Sequence, residues 1–131
     1  MATNNDLFNA ASIGDVQKVV EFIEKDGLDP NCTNEDRWTA AHFAAEEGRV
    51  GVLRALKEKN TKINTSCKYG WTPAHLAAYH GHLHFLEVLL ELGCVDDLTA
   101  AAGIQMKMPE DLANENGHLR CAQWLRNARQ F

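Results

Sequence analysis

Residues 37–56 read RWTAAHFAAEEGRVGVLRAL, and residues 70–89 read GWTPAHLAAYHGHLHFLEVL. The second segment repeats the first after a displacement of 33 residues along the chain. The residues shared by both copies include several with special conformational or packing roles: Trp38 and Trp71, Thr39 and Thr72, His42 and His75, and Gly48 and Gly81. A fixed period of this length indicates a fold built from stacked structural repeats.

Each copy predicts two short helices joined by a turn. Thr39 and Thr72 are suited to cap the start of a first helix, and Pro73 lies where its missing backbone N–H costs nothing. Gly48 and Gly81 can adopt the left-handed conformation that ends this helix. Aliphatic residues then recur at the spacing of a second helix: Val50, Leu53 and Leu56 in one copy, and Leu83, Leu86, Leu89 and Leu90 in the next.

The run Thr-Pro-Ala-His-Leu-Ala-Ala at residues 72–78, in a sequence with this period, resembles the signature of the ankyrin repeat. The resemblance implies an all-α repeat solenoid in which each repeat consists of a helix, a turn, a second helix and a hairpin. It covers nearly the whole chain, so we expect a single domain of four copies. The approximate repeats are residues 4–36, 37–69, 70–106 and 107–131.

The first and last copies depart from the pattern in ways that suit the ends of a stack. The first copy lacks the Thr-Pro pair. The last copy has Glu110 and Asp111 where the preceding copy has Ala74 and His75. Polar residues at these positions predict a cap that faces solvent.

The third hairpin is predicted to be irregular. Gly81 and Gly117 are 36 residues apart, which exceeds the period by three. The extra residues fall within the segment from Cys94 to Lys107. An extra local helix, a flexible loop and a second contact site are open alternatives for this segment.

Composition favours a protein-binding domain over association with nucleic acid or membrane. The 131 residues carry a net charge of −5 and have a pI near 5.6, which argues against contact with nucleic acid or anionic lipid. No segment approaches the roughly 18 apolar residues of a spanning helix. The N-terminus lacks the basic and apolar regions of a signal peptide. We therefore expect a monomer, located in the cytoplasm, the nucleus or both, with a protein as its partner.

The cysteines and histidines do not form a recognisable chemical site. The family resemblance implies that His42 and His75 are structural residues that bond the turn backbone or the neighbouring threonine. The sequence contains no G-x-x-x-x-G-K-[ST], G-x-S-x-G or H-E-x-x-H motif, so we expect no enzymatic activity and no cofactor. The cysteines include no paired C-x-x-C motif, which favours reduced thiols over a metal or disulfide site: Cys32, Cys67, Cys94 and Cys121.

The resemblance also implies where a partner binds. In the family, hairpin tips and the solvent-facing residues of the first helices line a concave groove that usually binds a protein. Tryptophan and tyrosine are enriched at interface hot spots, and carboxylates nearby favour a basic or mixed-charge partner segment. The predicted partner-binding residues come from two hairpins and two helix ends: Glu35, Asp36 and Trp38; Lys68, Tyr69 and Trp71; and Glu46, Glu47, Tyr79 and His80.

Several interpretations of these residues stay open. The leading hypothesis is an adaptor or inhibitor that binds one protein through the aromatic groove. Alternatively, Trp38 and Trp71 only pack hairpin against hairpin. The chain could also be an auxiliary or scaffold subunit that engages a larger complex through its outer helices or caps. An enzyme or metal-binding protein has almost no support in the sequence. Trp124 is predicted to pack within the last copy, because it shares a helical register with Leu119 and Leu125.

Overall fold

The computed structural model describes residues 2–94 and 106–128. Over these residues the regular elements are eight helices, which follow one another as four pairs. The ranges are α1 (Asn4–Ile13), α2 (Val16–Glu24), α3 (Ala40–Glu47), α4 (Val50–Glu58), α5 (Pro73–Tyr79), α6 (Leu83–Glu91), α7 (Pro109–Glu115) and α8 (Leu119–Ala128). This architecture confirms the predicted all-α repeat solenoid.

The starts of the first helices are fixed by reciprocal capping. The Thr39 hydroxyl accepts the backbone N–H of His42 at 3.4 Å, and His42 Nδ1 accepts the Thr39 N–H at 3.1 Å. Thr72 and His75 repeat this arrangement in α5. Each box satisfies two backbone donors that a helix start would otherwise leave without partners. The predicted capping role of both threonines is confirmed.

The solenoid has two layers of helices. The first helices of the pairs, α1, α3, α5 and α7, pack each against the next, and the second helices, α2, α4, α6 and α8, form the outer layer. The residues buried in α3 and α5 are largely alanine, which allows the neighbouring first helices to approach closely. Larger side chains fill the space between the layers, and the most deeply buried are Leu7, Leu53, Leu56, Phe85, Leu86, Leu89 and Leu125.

The outer layer is held to the inner layer at the turn of each pair. Gly48 ends α3 in the left-handed conformation, with φ of 71°. A Cβ atom at Gly48 would lie 2.8 Å from Nδ1 of His82 in the next pair, which is closer than real Cβ contacts. His82 Nε2 donates to the Glu46 carbonyl at 2.8 Å. Glycine is therefore required at position 48 both for its conformation and for the close approach of the next repeat.

The first repeat contains a capping threonine that the sequence analysis missed. Thr3 caps α1 through a box with Asp6, whose carboxylate accepts the Thr3 N–H at 2.8 Å. Because α1 has 10 residues and α3 has 8, Thr3 falls outside the register set by Gly14 and Gly48. The first copy lacks the Thr-Pro pair as described, and Thr3 caps its first helix from a position outside the register of the inner copies.

The last repeat has one buried acidic residue where an exposed one was expected. Glu110 is only 9% exposed and pairs with Arg126 of α8 at 3.0 Å, so its predicted solvent-facing position was wrong. Asp111 is exposed and accepts the backbone N–H of Met108 at 2.8 Å, as expected of a cap residue. Trp124 is partly buried and packs against the core, which confirms its predicted role.

Residues 95–105, most of the segment from Cys94 to Lys107 that is predicted to be irregular, lie outside the described residues. From Met106 onward the structure follows the register of the inner repeats. His42 Nε2 donates to the Trp71 carbonyl at 2.9 Å, and His75 Nε2 donates to the Lys107 carbonyl at 2.9 Å. Lys107 therefore occupies the position of the tryptophans. The start of a fourth repeat near residue 107 stays a prediction.

Candidate functional site

The two hairpins that precede α3 and α5 carry most of the predicted partner-binding residues. In the first, Asn34 Oδ1 accepts the backbone N–H groups of Asp36 and Trp38, each at 2.9 Å. In the second, the Cys67 N–H donates to the Trp71 carbonyl at 2.9 Å. The Lys68 N–H donates to the Asp36 carbonyl at 2.8 Å and thereby joins the two hairpins. The hairpin tips are thus held side by side.

The aromatic residues around Trp38 form a cluster that continues into the core. The ring of Trp38 lies 5.0 Å from that of Phe43, and Phe43 stacks on Phe8 at 5.1 Å. Phe8 is buried, and Trp38 packs against the core as a partly buried residue. These contacts join the first hairpin to α3 and α1. We call Phe8, Trp38 and Phe43 the Trp38 cluster.

The aromatic residues around Trp71 form a second cluster that continues to the surface. The ring of Trp71 lies 5.4 Å from that of Tyr79, and Tyr79 lies 5.0 Å from His80 in an edge-to-face arrangement. Tyr79 is 39% exposed and His80 is also exposed. We call Trp71, Tyr79 and His80 the Trp71 cluster. Tyr69, at the tip of the same hairpin, is 54% exposed.

The two tryptophans do not form a single aromatic surface. The ring contacts of Trp38 are with His42 and Phe43, and those of Trp71 are with His75 and Tyr79. Within the described part of the chain the two indole rings have no direct ring contact. The repeat period places the tryptophans one repeat apart, and each is packed mainly by residues of its own repeat.

The predicted acidic residues lie on the first hairpin and in the last turn of α3. Glu35 and Asp36 are exposed and line a cleft of about 730 Å³ together with Thr3, Asn4 and Phe8. Thr3, Asn4 and Phe8 were not predicted as site residues, because the first copy was expected only to close the end of the stack. Glu46 is half-buried and Glu47 is exposed, both in the last turn of α3; Lys68 is exposed on the second hairpin.

His42 and His75 are components of the stack and are buried completely. The Thr39 N–H and hydroxyl lie 3.1 and 2.9 Å from His42 Nδ1, and Nε2 faces the Trp71 carbonyl, which assigns the proton to Nε2. Burial lowers the pKa of His42 to about 4, although its bond to the Trp71 carbonyl opposes this shift. The neutral ring therefore joins one repeat to the next, and the predicted structural role of these histidines is confirmed.

Groups that could bind a metal or carry thiol chemistry are dispersed. Within residues 2–94 and 106–128, no three histidine, cysteine, aspartate or glutamate side chains are placed to hold a metal ion. Cys32, Cys67 and Cys121 are free thiols, and burial raises the pKa of Cys32 and Cys121. Over the same residues, no helix is both long enough and apolar enough to cross a membrane.

The helix pairs, the threonine–histidine caps and the 33-residue period agree with a comparison against known families. The family model described as "Ankyrin repeats (3 copies)" matches residues 7–100. The chain belongs to the ankyrin repeat family. The ankyrin repeat generally mediates protein–protein interaction. The match covers the three hairpin-linked repeats before the C-terminal pair α7 and α8, whose assignment as a fourth ankyrin repeat stays a prediction.

Three curated proteins are similar to parts of this chain and carry different names. The chain is 36% identical over 91 residues to the 26S proteasome non-ATPase regulatory subunit 10 of Dictyostelium discoideum, covering 68% of this chain and 39% of that protein. It is 37% identical over 60 residues to the probable E3 ubiquitin-protein ligase XBOS31 of Oryza sativa subsp. japonica, covering 45% of this chain and 14% of that protein.

A third similar protein is a toxin. The chain is 33% identical over 58 residues to alpha-latrocrustotoxin-Lt1a of Latrodectus tredecimguttatus, covering 44% of this chain and 4% of the toxin. The chain thus spans less than two fifths of the length of each of these three relatives. The three relatives are named as a proteasome regulatory subunit, a probable ubiquitin-protein ligase and a toxin, so similarity to this chain does not define one activity.

The outer face of the ankyrin stack contains a second cleft. It has a volume of about 490 Å³ and lies where α6 and α8 begin, with Leu83, His84, Leu119 and Arg120 among its lining residues. Leu119 is 68% exposed, although the equivalent Leu83 is half-buried. This cleft was not predicted, because the helical spacing of Leu119 relative to Trp124 and Leu125 is that of a residue packed against the core. The ankyrin stack thus has two candidate surfaces to compare, the predicted groove and this outer cleft.

Proposed function

We propose that this chain is a protein-interaction module, acting as an adaptor or inhibitor, that binds a segment of one partner protein in its concave groove. The observation that carries the proposal is the Trp71 cluster, in which Tyr79 leans on Trp71 and extends the aromatic surface into solvent. Tyr69 adds a second exposed ring on the adjoining hairpin tip. Large, rigid aromatic side chains that are partly exposed are typical of interface hot spots.

The acidic residues of the first hairpin and the end of α3 favour a basic or mixed-charge partner segment. Among the described residues, the carboxylates of Glu35, Asp36, Glu46 and Glu47 form no ion pairs. The exposed acids Glu24 and Glu91 of the outer layer do form ion pairs, with Lys59 and Arg54. Uncompensated carboxylates on the groove side attract basic groups and raise the association rate of a complementary partner.

The proposed location and oligomeric state follow from the same features. Several free thiols fit a compartment that keeps cysteines reduced, which favours the cytoplasm or the nucleus. We infer a monomer, since the first and last helix pairs present exposed polar residues, among them Asp6 and Asp111. Terminal repeats with a polar outer face keep a short stack soluble.

The proposal is tested with two double variants that have matched exposure. The Tyr69→Ala, Tyr79→Ala variant removes exposed rings from the groove side. The control, Lys57→Ala with Glu58→Ala, removes exposed side chains from the outer helix α4. Each immobilised protein, shown by circular dichroism to be folded, is used to capture proteins from a native-type lysate, with quantification by mass spectrometry. The groove variant should lose a partner that the wild type and the control retain.

Retention of the same partner by the groove variant would contradict this proposal. The fraction captured should be searched first for components of the 26S proteasome, because the Dictyostelium relative is named as one of its regulatory subunits. Association with such an assembly is a proposal for this chain, which spans 39% of that relative.

The outer cleft supports a second candidate function. A subunit that docks through its outer helices would use the exposed Leu119 beside this 490 Å³ cleft. A Leu119→Ser variant distinguishes the two candidates, because it alters the outer face without touching the groove. Loss of the partner in Leu119→Ser together with retention in the groove variant would favour the auxiliary-subunit function.

A further inference from the structure

The first hairpin contains a residue in an unfavourable backbone conformation. Arg37 has φ of 62°, in the left-handed region that favours glycine. The equivalent residues of the next two hairpins are Gly70, with φ of 83°, and Met106, with φ of 52°. Each lies two residues before the residue that caps a first helix, so the turn itself requires this conformation. Glycine would satisfy the turn without strain, and arginine does not.

The side chain of Arg37 does not contribute to holding this turn. The backbone is fixed by its neighbours: the Arg37 N–H donates to the Asn34 carbonyl at 3.0 Å, and the Asn34 N–H donates to the Trp38 carbonyl at 3.1 Å. The Lys68 N–H completes the framework through the Asp36 carbonyl. Hydrogen bonds that fix a residue from both sides allow a strained conformation to persist.

The guanidinium of Arg37 is exposed and makes no stabilising contact with the part of the chain that is described. It makes no hydrogen bond or ion pair there, and no aromatic ring lies under it. Arg49 and Arg54, the other two arginines of the same repeat, do make such contacts. Arg49 donates to the Ser12 carbonyl at 2.9 Å, and Arg54 pairs with Glu91 at 2.6 Å.

We infer that Arg37 is a specificity-determining residue of the groove, which binds a carboxylate of the partner segment. This inference rests on the proposed function and narrows the chemistry of the partner. The guanidinium presents a planar fork of donors that matches a carboxylate, and its rigid backbone reduces the entropy lost on binding. Glu35 and Asp36 directly precede Arg37 in the chain. We therefore expect the partner segment to have a basic residue next to its carboxylate, where it faces these two acids. The partner segment is therefore of mixed charge.

The experiment uses a phage-displayed library of random dodecapeptides, selected on the wild-type chain. The selected peptides should contain an acidic residue at a fixed position with a basic residue close to it. Arg37→Gly should bind them about tenfold more weakly or worse, because a charge-assisted hydrogen bond is lost. Its melting temperature should equal or exceed that of the wild type, because glycine relieves the turn. Arg37→Lys should bind with intermediate affinity, and Lys57→Ala, which removes an exposed charge from α4, should bind like the wild type.

The possible outcomes separate this inference from the proposed function. Peptides that lose affinity for Tyr79→Ala and bind Arg37→Gly as tightly as the wild type would overturn the inference alone. A lower melting temperature for Arg37→Gly would overturn it as well, since it would show that the side chain stabilises the fold. If the wild type selects no peptides, both the groove as a binder of linear segments and the role of Arg37 are wrong.

Discussion

The Trp38 and Trp71 clusters begin from equivalent tryptophans of two successive repeats and lead in opposite directions. Trp38 meets Phe43, which stacks on buried Phe8, so the first cluster continues into the stack. Trp71 meets Tyr79, which is 39% exposed, so the second continues outward. Trp38 thus packs the first hairpin onto α3 and α1, and Trp71 supports an exposed aromatic surface.

The difference arises at two positions of the first helix. Phe43 corresponds to Leu76, and Glu46 corresponds to Tyr79. In the earlier repeat the large ring lies under the tryptophan. In the later repeat the inner position is filled by buried Leu76, and the ring is instead at the exposed end of the helix. The comparison teaches that the role of a repeated residue depends on the variable residues around it.

The largest expected effect concerns the histidine that joins the two clusters. His42 bonds the Trp71 carbonyl, and burial lowers its pKa from 6.5 to about 4. The unfolded chain therefore binds more protons than the folded chain between pH 6.5 and pH 4, so stability falls as the pH is lowered through this window. A shift of this size corresponds to at most about 3 kcal/mol. Urea unfolding from pH 7 to pH 4 measures it.

The pH dependence has a direct control in the chain. His42→Gln should lose the part of the slope that lies between pH 6.5 and pH 4, and His84→Ala, which changes an exposed histidine, should keep it. An unchanged slope in His42→Gln would show that His42 does not govern the acid sensitivity of the stack.

The second prediction sharpens the contrast between the clusters. Trp38→Ala should lower the free energy of unfolding by about 2–3 kcal/mol, because it removes a large ring packed against the core. Tyr79→Ala should lower it by less than about 1 kcal/mol, because much of that ring is already in solvent. Chemical unfolding followed by circular dichroism compares the two variants. Equal losses would remove the distinction between a packing cluster and a surface cluster.

The smallest expected effect comes from replacing the turn glycine of the second hairpin with the arginine of the first. Gly70→Arg places in the second hairpin the residue that the first hairpin has at this position. It should cost about 1 kcal/mol of stability, since φ stays in the left-handed region. Thermal unfolding of this variant beside the wild type gives the value. A loss of several kcal/mol would show that the two hairpins do not tolerate the same backbone strain.

The sequence predicted those features that a local rule determines. The roles of Thr39 and Gly48 follow from capping and turn chemistry, the role of His42 was implied by the family resemblance, and the structure confirms all three. The burial of Glu110 could not be predicted locally, because its partner Arg126 lies on the following helix. The cap at Thr3 was missed because α1 is two residues longer than α3.

The candidate groove could be predicted only as a set of residues. The family resemblance implied that hairpin tips and first-helix ends share one side of the stack, and this is why Trp71, Tyr79 and His80 were selected together. The sequence did not show that Trp38 would pack on Phe43 and Trp71 on Tyr79, because ring contacts depend on side-chain geometry between elements. It also did not show that Arg37 adopts a left-handed conformation, since arginine rarely marks such a turn.

The central claim is that the Trp71 cluster is the binding surface and that the Trp38 cluster is structural. It is tested most directly at Tyr79, by replacing it with the residue that the preceding repeat has at this position. Partner capture is quantified for the wild type, Tyr79→Glu and Tyr79→Phe, with folding checked by circular dichroism. Folded Tyr79→Glu should lose the partner and Tyr79→Phe should keep it. Wild-type capture by folded Tyr79→Glu would contradict the claim and place the binding surface elsewhere on the stack.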